Sequence, residues 1–469
     1  MIDLQACRVV GTVVLGGGLV GCATAVALAE ANAREGKATV VLESGPAQTF
    51  REATPSQGSL RGSRVVDQTD ELTIDIRATW RFIDRLETRY GLKISTRASE
   101  TAPYLMLVRD PAHLRAMQAD LTRKHSPFET YDLAGAAAKF GLTLPKNYAG
   151  VLNALESRVI DLDACFLGMH RELASLGGSV QYGITVASAG GGKLDDGRFY
   201  LELTDGSRVI AEELVFATGT QIAATLAGFH DSHEVLLQEH PGQFAPPCPV
   251  PPRFRAGNSI HIPQRTIHLW FDTPGRAIVP KTVYNLDIAP EVFDASGVAY
   301  EKANLGFYMF PESVRDADGA VHSGLKAGYD PMGCSLENEE LLESQQAYML
   351  DHIGKLYRVA PHEIRIAETH QCAYPVDVIH YPCMGRSAFH GITVAANFIG
   401  YGAMAAYGAA ETVRDGRRAP DSRSNPDLAP TAGDIESFRT LYGIDRSFPN
   451  PPSAAEVYEV GGDNPRSRW

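Results

Sequence analysis

No run of about 18 apolar residues occurs in this 469-residue chain, and a helix that crosses hydrocarbon needs one. The opening MIDLQACRVV has none of the basic, apolar and small-residue regions of a secretory leader, so the expected location is the cytoplasm. Cysteine is sparse: seven residues and no CxxC pair, which argues against a disulfide framework and a zinc ribbon. No metal is expected, and Cys7, Cys22, Cys165, Cys248 and Cys334 are expected as free thiols in or near the core. Basic residues are outnumbered, 43 to 56, for a net charge of −13 without a basic stripe. That excludes nucleic acid as the expected partner, because neutralising phosphates takes clustered Lys and Arg. No internal repeat stands out. What remains is an ordinary globular composition, 44% hydrophobic and 21% charged, long enough for two or three domains.

The segment GTVVLGGGLVGCATAVALAEANAREGKATVVLESG reads as strand, tight turn, Ala-rich helix and second strand. Gly16, Gly18 and Gly21 satisfy GxGxxG: the first permits the turn, the second lets backbone approach a pyrophosphate, and the third lets helix and strand pack closely. Pyrophosphate is favoured at the helix N-terminus by unpaired N–H groups and the helix dipole. Glu43, closing the second strand, lies where a carboxylate accepts hydrogen bonds from a ribose. A bare Gly-rich turn accounts for the glycines but not for the flanking strands and the acid. The pattern suits FAD or NAD. Later, TDGSRVIAEELVFATGT reads as a hairpin pair and then a buried strand ending at Ala217-Thr218-Gly219, the turn that returns the chain towards a flavin in flavoproteins of this architecture. Neither a second GxGxxG nor a CxxxxC redox pair follows, which argues against a reductase with its own NAD(P)H domain.

Between these segments, ESRVIDLDACFLGMHRELASLGGSVQYGITVASAGG reads as turn, amphipathic helix and strand, with Val186 on a strand towards the adenine side. From about Phe229 to Ile364 strand-like runs such as TIHLWFD and LGFYMF dominate, without helical periodicity until LENEELLESQQAYMLDHIGKLY. The expected class is therefore α/β, α+β overall: a discontinuous Rossmann-like dinucleotide domain (1–90, 151–228, 365–417), a mostly antiparallel substrate domain (91–150, 229–364) and a tail (418–469) that wraps the surface or is partly disordered.

Several stretches, in order along most of the chain, resemble the D-amino-acid oxidase superfamily of FAD enzymes, within it the branch of monomeric sarcosine oxidase and pipecolate oxidase. Gln57-Gly58-Ser59-Leu60-Arg61-Gly62-Ser63-Arg64 resembles that branch's loop; the resemblance implies that Arg61 lies near the flavin and that Arg64 binds a substrate carboxylate, a task suited to a guanidinium fork. Phe307-Tyr308-Met309-Phe310-Pro311 and Gly324-Leu325-Lys326-Ala327-Gly328-Tyr329 resemble its active-site strands. Tyr308 then shapes the pocket, and Lys326 is implied to promote reaction of the reduced flavin with oxygen; taken alone, a strand Lys more often guards an edge against aggregation. HQCAYPVDVIHYP resembles the stretch in which a cysteine anchors the flavin covalently, implying Cys372 as anchor and Tyr374 as pocket wall, with Cys383 a competitor. VAANFIGYGAMAAYGAAE resembles the closing turn beside the flavin, kept by Gly400 and Gly402.

Three departures bear on the substrate. Gln57 and Asp330 stand where the family has His, and Met404 where a Lys helps hold the carboxylate. A lost charge-assisted contact is worth roughly 1.5–3 kcal/mol, so the expected substrate is larger than sarcosine, a cyclic or N-substituted amine or amino acid held by Arg64 and apolar contacts. The resemblance implies oxidation of a C–N bond to an imine, with molecular oxygen reduced to hydrogen peroxide, by a monomer or homodimer. A dehydrogenase using another acceptor and a non-catalytic flavin-binding protein are the alternatives.

Overall fold

The structure is a computed structural model and describes residues 2–47, 60–66, 68–99, 102–144, 146, 148–255, 258–285, 307–329, 339–377, 379, 381–398, 402–419 and 422–436. Three sheets carry it. In the first, β1 (Arg8–Leu15) lies between β12 (Arg208–Phe216) and β2 (Thr39–Glu43), and β9 (Ser179–Tyr182) follows β2, all parallel. β19 (Thr393–Ala396) adds in parallel to the end of β12. The antiparallel strands β10 (Val186–Lys193), β11 (Phe199–Leu203) and β18 (Cys383–Arg386) complete this sheet. Strands buried on both faces read as continuous apolar runs, and VVLE and TVVL are such runs. One face holds Val14, Val41 and Val215 against α1 (Leu19–Asn32), α5 (Leu162–Ser175) and α8 (Gly402–Arg414). The other holds Val13, Leu42 and Phe216 against α6 (Ile222–Glu239).

The second sheet runs β17 (Ile364–Asp377), β13 (Ser259–Phe271), β16 (Val321–Tyr329), β15 (Phe307–Arg315), β14 (Thr282–Asn285), β5 (Tyr104–Val108), β7 (Gly150–Ala154) and β6 (Phe128–Tyr131). Its pairs are antiparallel except β14 with β5. Period-two alternation splits its side chains. Ile267, Leu269, Val283, Met309, Leu325 and Ala327 pack under α7 (Glu339–Tyr357) and α4 (Leu133–Phe140). Tyr104, Met106, Tyr284 and Phe310 face the opposite way, towards α2 (Asp70–Tyr90), α3 (Pro111–Arg123) and the start of α8. A small sheet of β3 (Leu60–Ser63), β8 (Arg158–Asp161) and β4 (Ser95–Arg97) lies beside this second face. The α/β class with a mostly antiparallel second sheet is what the sequence led one to expect.

Four local expectations change. A helix, α6, spans Ile222–Glu239, where no helical period was expected from Phe229 onward; Ile222, Leu226, Phe229, His233 and Leu236 are its buried stripe, masked in sequence by the polar HDSH run. TDGSRVIAEELVF is not a hairpin followed by another strand, because β12 is both the hairpin's second arm and the buried strand. The Arg61 segment is a strand, β3, rather than a loop. The expectation for the tail, surface wrapping or partial disorder, narrows at its beginning to wrapping: Arg418 is bound to Glu71 and to Asp75 (3.0 Å), and the buried Ser422 and Ser424 donate to Glu71 at 2.6 and 2.9 Å. Among the described residues no helix is long and apolar enough to cross a membrane.

Helix α8 lies on α2 at a backbone contact that leaves no room for a side chain: a Cβ at Gly408 would sit 2.0 Å from the Asp75 carbonyl oxygen. Gly408→Ala is expected to destabilise the protein by about 1–3 kcal/mol, the scale of overpacking, read as a lower denaturation midpoint. Burial also lowers His352 and His390 from 6.5 to about 4. Folded, both stay neutral where the unfolded chain takes up protons, so stability is complete above pH 6.5 and falls as pH drops towards about 4. Denaturation midpoints across that range test this; a flat profile would refute it.

Candidate functional site

The turn after β1 is tied on three sides. Gly16 has φ +103° and donates to the Leu42 carbonyl at 2.8 Å, and a Cβ there would lie 2.4 Å from the carbonyl oxygen of Ala217. A Cβ at Gly21 would lie 1.9 Å from the Gly16 carbonyl oxygen. Gly18 is the extended residue at which α1 begins. Glu43 is buried, and its carboxylate accepts from Gly17 N–H at 2.7 Å and Gly45 N–H at 2.8 Å. After β9, Ile184 N–H bonds the Glu43 carbonyl at 3.1 Å, and Val186 begins β10 two residues on, half-buried. At the carboxyl end of β12, Gly219 has φ +57° and the Thr218 hydroxyl oxygen is buried without a hydrogen-bond partner. At the neighbouring end of β19, the side-chain amide of buried Asn397 (φ +57°) also lacks partners. Glycine turns that exclude side chains and two orphaned polar groups thus gather at the carboxyl ends of parallel strands, where α/β sheets bind ligands. These residues fit an adenine dinucleotide. Gly402 opens α8 close to Leu19 and Val20 at the start of α1; Gly400 lies outside the described residues, as does Gln57.

A second constellation occupies the α2-facing side of the second sheet. Arg64 stacks on Tyr284, its guanidinium carbon 4.3 Å from the ring centroid. Tyr284 is 5.4 Å from Tyr104, 5.8 Å from Tyr308 and 5.8 Å from Phe310, centroid to centroid. Both phenol oxygens converge on Gly62, where a Cβ would lie 2.5 Å from that of Tyr104 and 2.6 Å from that of Tyr284. Burial, with Tyr284 adding, pushes the Tyr104 phenol well above its ordinary value. Met404 is buried in the same cluster. Arg61, on β3, donates to the Leu60 carbonyl at 2.8 Å. A cavity of about 380 Å³ borders the cluster through Leu60, Tyr104, Thr282 and Pro311, with Lys281 and Asp161 also on its wall.

Lys326 is 2% exposed on β16, which is interior to the sheet, between β13 and β15. An edge-guarding role is thereby excluded, since guards act at unpaired, solvated edges. Opposite it are His268 on β13 and Phe310 on β15. Tyr308 lies over Gly328, where a Cβ would be 2.3 Å from the phenol oxygen. Cys372 and Tyr374 occupy β17 opposite Gln264 and Ile262 of β13. Cys383 is buried on β18 of the first sheet, its thiol pushed up to about 12 by burial, so the two candidate anchors belong to different sheets. Cys7, Cys22 and Cys165 are buried and Cys248 half-buried, none of them in a disulfide; Asp330 and Cys334 lie outside the described residues.

The sequence reading missed Gly62, Tyr104, Tyr284, Asn397 and His268. Tyr104 was legible in part, because YLMLV alternates large side chains between two faces. The others join the site through pairings of segments remote in sequence.

A family model described as FAD dependent oxidoreductase (DAO) matches residues 12–415. No curated protein matches the sequence. Among solved structures, NikD, described as an unusual amino acid oxidase essential for nikkomycin biosynthesis, is similar at TM-score 0.62 and 17% identity over 90% of this chain and 99% of that one. Glycine oxidase from Geobacillus kaustophilus is similar at 0.60 and 13% identity, covering 91% and 99%. L-proline dehydrogenase from P. horikoshii is similar at 0.58 and 14% identity, covering 90% and 98%. At such identities the likeness is one of fold.

Removing the carboxylate in Glu43→Ala is expected to weaken FAD binding to the apoprotein about tenfold or more, since it deletes a charge-assisted acceptor. Fluorescence titration with FAD measures this, and unchanged affinity would remove Glu43 from the cofactor site.

Proposed function

This chain belongs to the family of FAD-dependent oxidoreductases, and from that premise we propose that it oxidises the C–N bond of a secondary or cyclic amine or amino acid to an imine, with oxygen as electron acceptor, in the manner of the sarcosine and pipecolate oxidase branch. The observation that carries this reading is the shared sheet face on which a buried Lys326 and the Arg64–tyrosine cluster both lie. The descriptions of NikD as an amino acid oxidase and of glycine oxidase support the substrate class.

FAD, when bound, would supply the acceptor for the two electrons released as CH–NH becomes C=N. In the proposed arrangement Gly16, Gly18, Gly21, Glu43, Val186, Thr218 and Gly219 hold its ADP half, Gly400 and Gly402 close the turn beside its ring system, and Cys372 anchors it covalently. Arg64 binds the substrate carboxylate, with Gln57 and Asp330 on the substrate side. Met404 supplies apolar surface in place of a second cation, which favours a substrate bulkier than sarcosine. Tyr308 and Tyr374 wall the pocket, and Arg61 adds positive charge near the flavin. Lys326 is a fixed cation in a water-poor site, where it stabilises the negative charge oxygen acquires on reduction. The corresponding division is a cofactor domain of 1–90, 151–228 and 365–417 and a substrate domain of 91–150 and 229–364. A dehydrogenase passing electrons to another acceptor is the second reading, favoured by the fold shared with L-proline dehydrogenase.

Lys326→Met is expected to slow reoxidation of the reduced enzyme by oxygen about 10²-fold, the scale of one lost electrostatic contact, while sparing reduction by the amine. Stopped-flow measurement of the two half-reactions tests it. Equal slowing of both would remove Lys326 from the oxygen step, and indifference of the wild-type reduced enzyme to oxygen would establish the dehydrogenase reading. Yellow colour kept in the acid-precipitated protein and lost in Cys372→Ala is the outcome expected for a covalent anchor.

A further inference from the structure

Beside Lys326 the same sheet face carries a line of titratable side chains that the proposed oxidation does not use. His268, directly opposite Lys326 in register, reaches diagonally across β16, and its Nδ1 meets the Glu312 carboxylate at 2.6 Å. The two strands they come from flank β16, and the β16 position opposite both Glu312 and Trp270 is Gly324, so no side chain intervenes there. The His268 Nε2 is buried and has no hydrogen-bond partner. A register shift after His268 in the pairing of β13 with β17 accompanies an edge-to-face contact of the His370 ring on that of His268, centroids 4.9 Å apart. His370 Nε2 in turn meets Glu368 at 3.1 Å. Exposure falls along this line, from 61% for the Glu368 side chain through 26% for His370 to 9% for His268 and Glu312 and 2% for Lys326. Among the described residues, the charged and titratable groups that meet His268 are Lys326 from β16, Glu312 from β15, and His370 and Glu368 from β17. His370 is held below its ordinary value by burial, with the charges of His268 and Lys326 acting in the same direction against Glu368.

The chemistry creates a demand for such a line. Oxidation of CH–NH to C=N releases two electrons with one hydrogen from carbon, and one proton from nitrogen. Reduction of oxygen to hydrogen peroxide consumes two electrons and two protons. The carbon hydrogen and its electron pair are carried by the cofactor, but the nitrogen proton leaves at the substrate, so the oxygen side requires one proton from water. We propose that the Glu312–His268 pair, continued to solvent through His370 and Glu368, is the route by which that proton reaches the Lys326 side of the site, a role that rests on the assignment of Lys326 to the oxygen step. Glu312 holds Nδ1–H and thereby fixes Nε2 as the nitrogen that takes up and releases the proton. His268 and Glu312 are relay groups, and Lys326 stays charged throughout.

The test uses the holoenzyme labelled with 13C at histidine Cε1, with the His268 resonance assigned by its loss in His268→Gln. Glu312→Gln, which keeps the side-chain shape, is expected to shift the His268 Cε1 resonance by removing the carboxylate that holds Nδ1–H, and Lys326→Met to shift it by removing the facing cation. In stopped flow, His268→Gln is expected to slow reoxidation by oxygen about tenfold or more and to flatten its pH dependence, with reduction by the amine unchanged within about twofold. A His268 resonance indifferent to both neighbours overturns the relay. So does normal reoxidation in His268→Gln and Glu312→Gln when Lys326→Met is slow, and in that case the oxygen reading stands. Normal reoxidation in Lys326→Met overturns the oxygen reading and the relay with it.

Discussion

The architecture depends on the approach of two backbones at the carboxyl end of the first sheet. The Gly16 turn and the Ala217 carbonyl close to a separation that admits no side chain, and Gly21 brings α1 down onto the same turn. That fixes where α1 starts. α8 starts against it, Gly402 beside Leu19 and Val20, and lies on α2 through the equally close Gly408–Asp75 contact. Because α8 is held at both places, Met404 is delivered into the Tyr104–Tyr284–Phe310 cluster of the second sheet. The Gly16 turn and the Tyr104–Tyr284–Phe310 cluster, to which the proposed function gives the cofactor and the substrate, are thus joined by one chain of small-residue contacts, and a displacement at the first would be transmitted to the second through rigid helices.

The second constraint is alternation. On β16, Leu325 and Ala327 enter an apolar core while Gly324, Lys326 and Gly328 take the other face. The two glycines make the lysine's neighbourhood possible, one leaving the space across which His268 meets Glu312 and the other seating the Tyr308 ring. Burying a charge and an imidazole–carboxylate pair on a sheet is expensive, several kcal/mol per ion before compensation. A fold stabilised by its core alone would place apolar side chains there. Polar groups retained in such a place are what the proposed oxygen step would use.

These two constraints also explain what could be read from sequence. The βαβ unit was legible because its signals are local: glycines at fixed offsets, apolar strands and Glu43, all within one segment whose geometry they determine. The Lys326 strand was legible through its neighbours in LKAGY. The α6 helix was not, since its buried stripe includes His233 and Ser232, which a hydrophobic period does not count. The aromatic cluster was not, because Tyr104, Tyr284 and Phe310 come from strands paired in the order β15–β14–β5 and Gly62 from β3 of another sheet, which is a tertiary fact. The anchoring of the tail was hidden for the opposite reason: Arg418, Ser422 and Ser424 look like solvated linker residues until Glu71 and Asp75 are placed beneath them.

If the proposed assignment holds, Met404 stands where the resembled branch has a lysine, and that alters what Arg64 would do. Two cations around a carboxylate bind it by charge with little regard for the rest of the molecule. In the proposed site one guanidinium, its carbon 4.3 Å from the Tyr284 ring centroid, would bind it through a planar fork, with its approach limited to the directions that the ring leaves open. The binding energy lost with the second cation has then to be recovered from apolar contact, and Met404, Tyr308 and Phe310 offer contact of that kind. A thioether adapts to irregular shapes where a lysine would demand an anion. Selectivity in such a site moves away from the carboxylate, which every amino acid shares, and towards the shape of the group attached to nitrogen and the α-carbon.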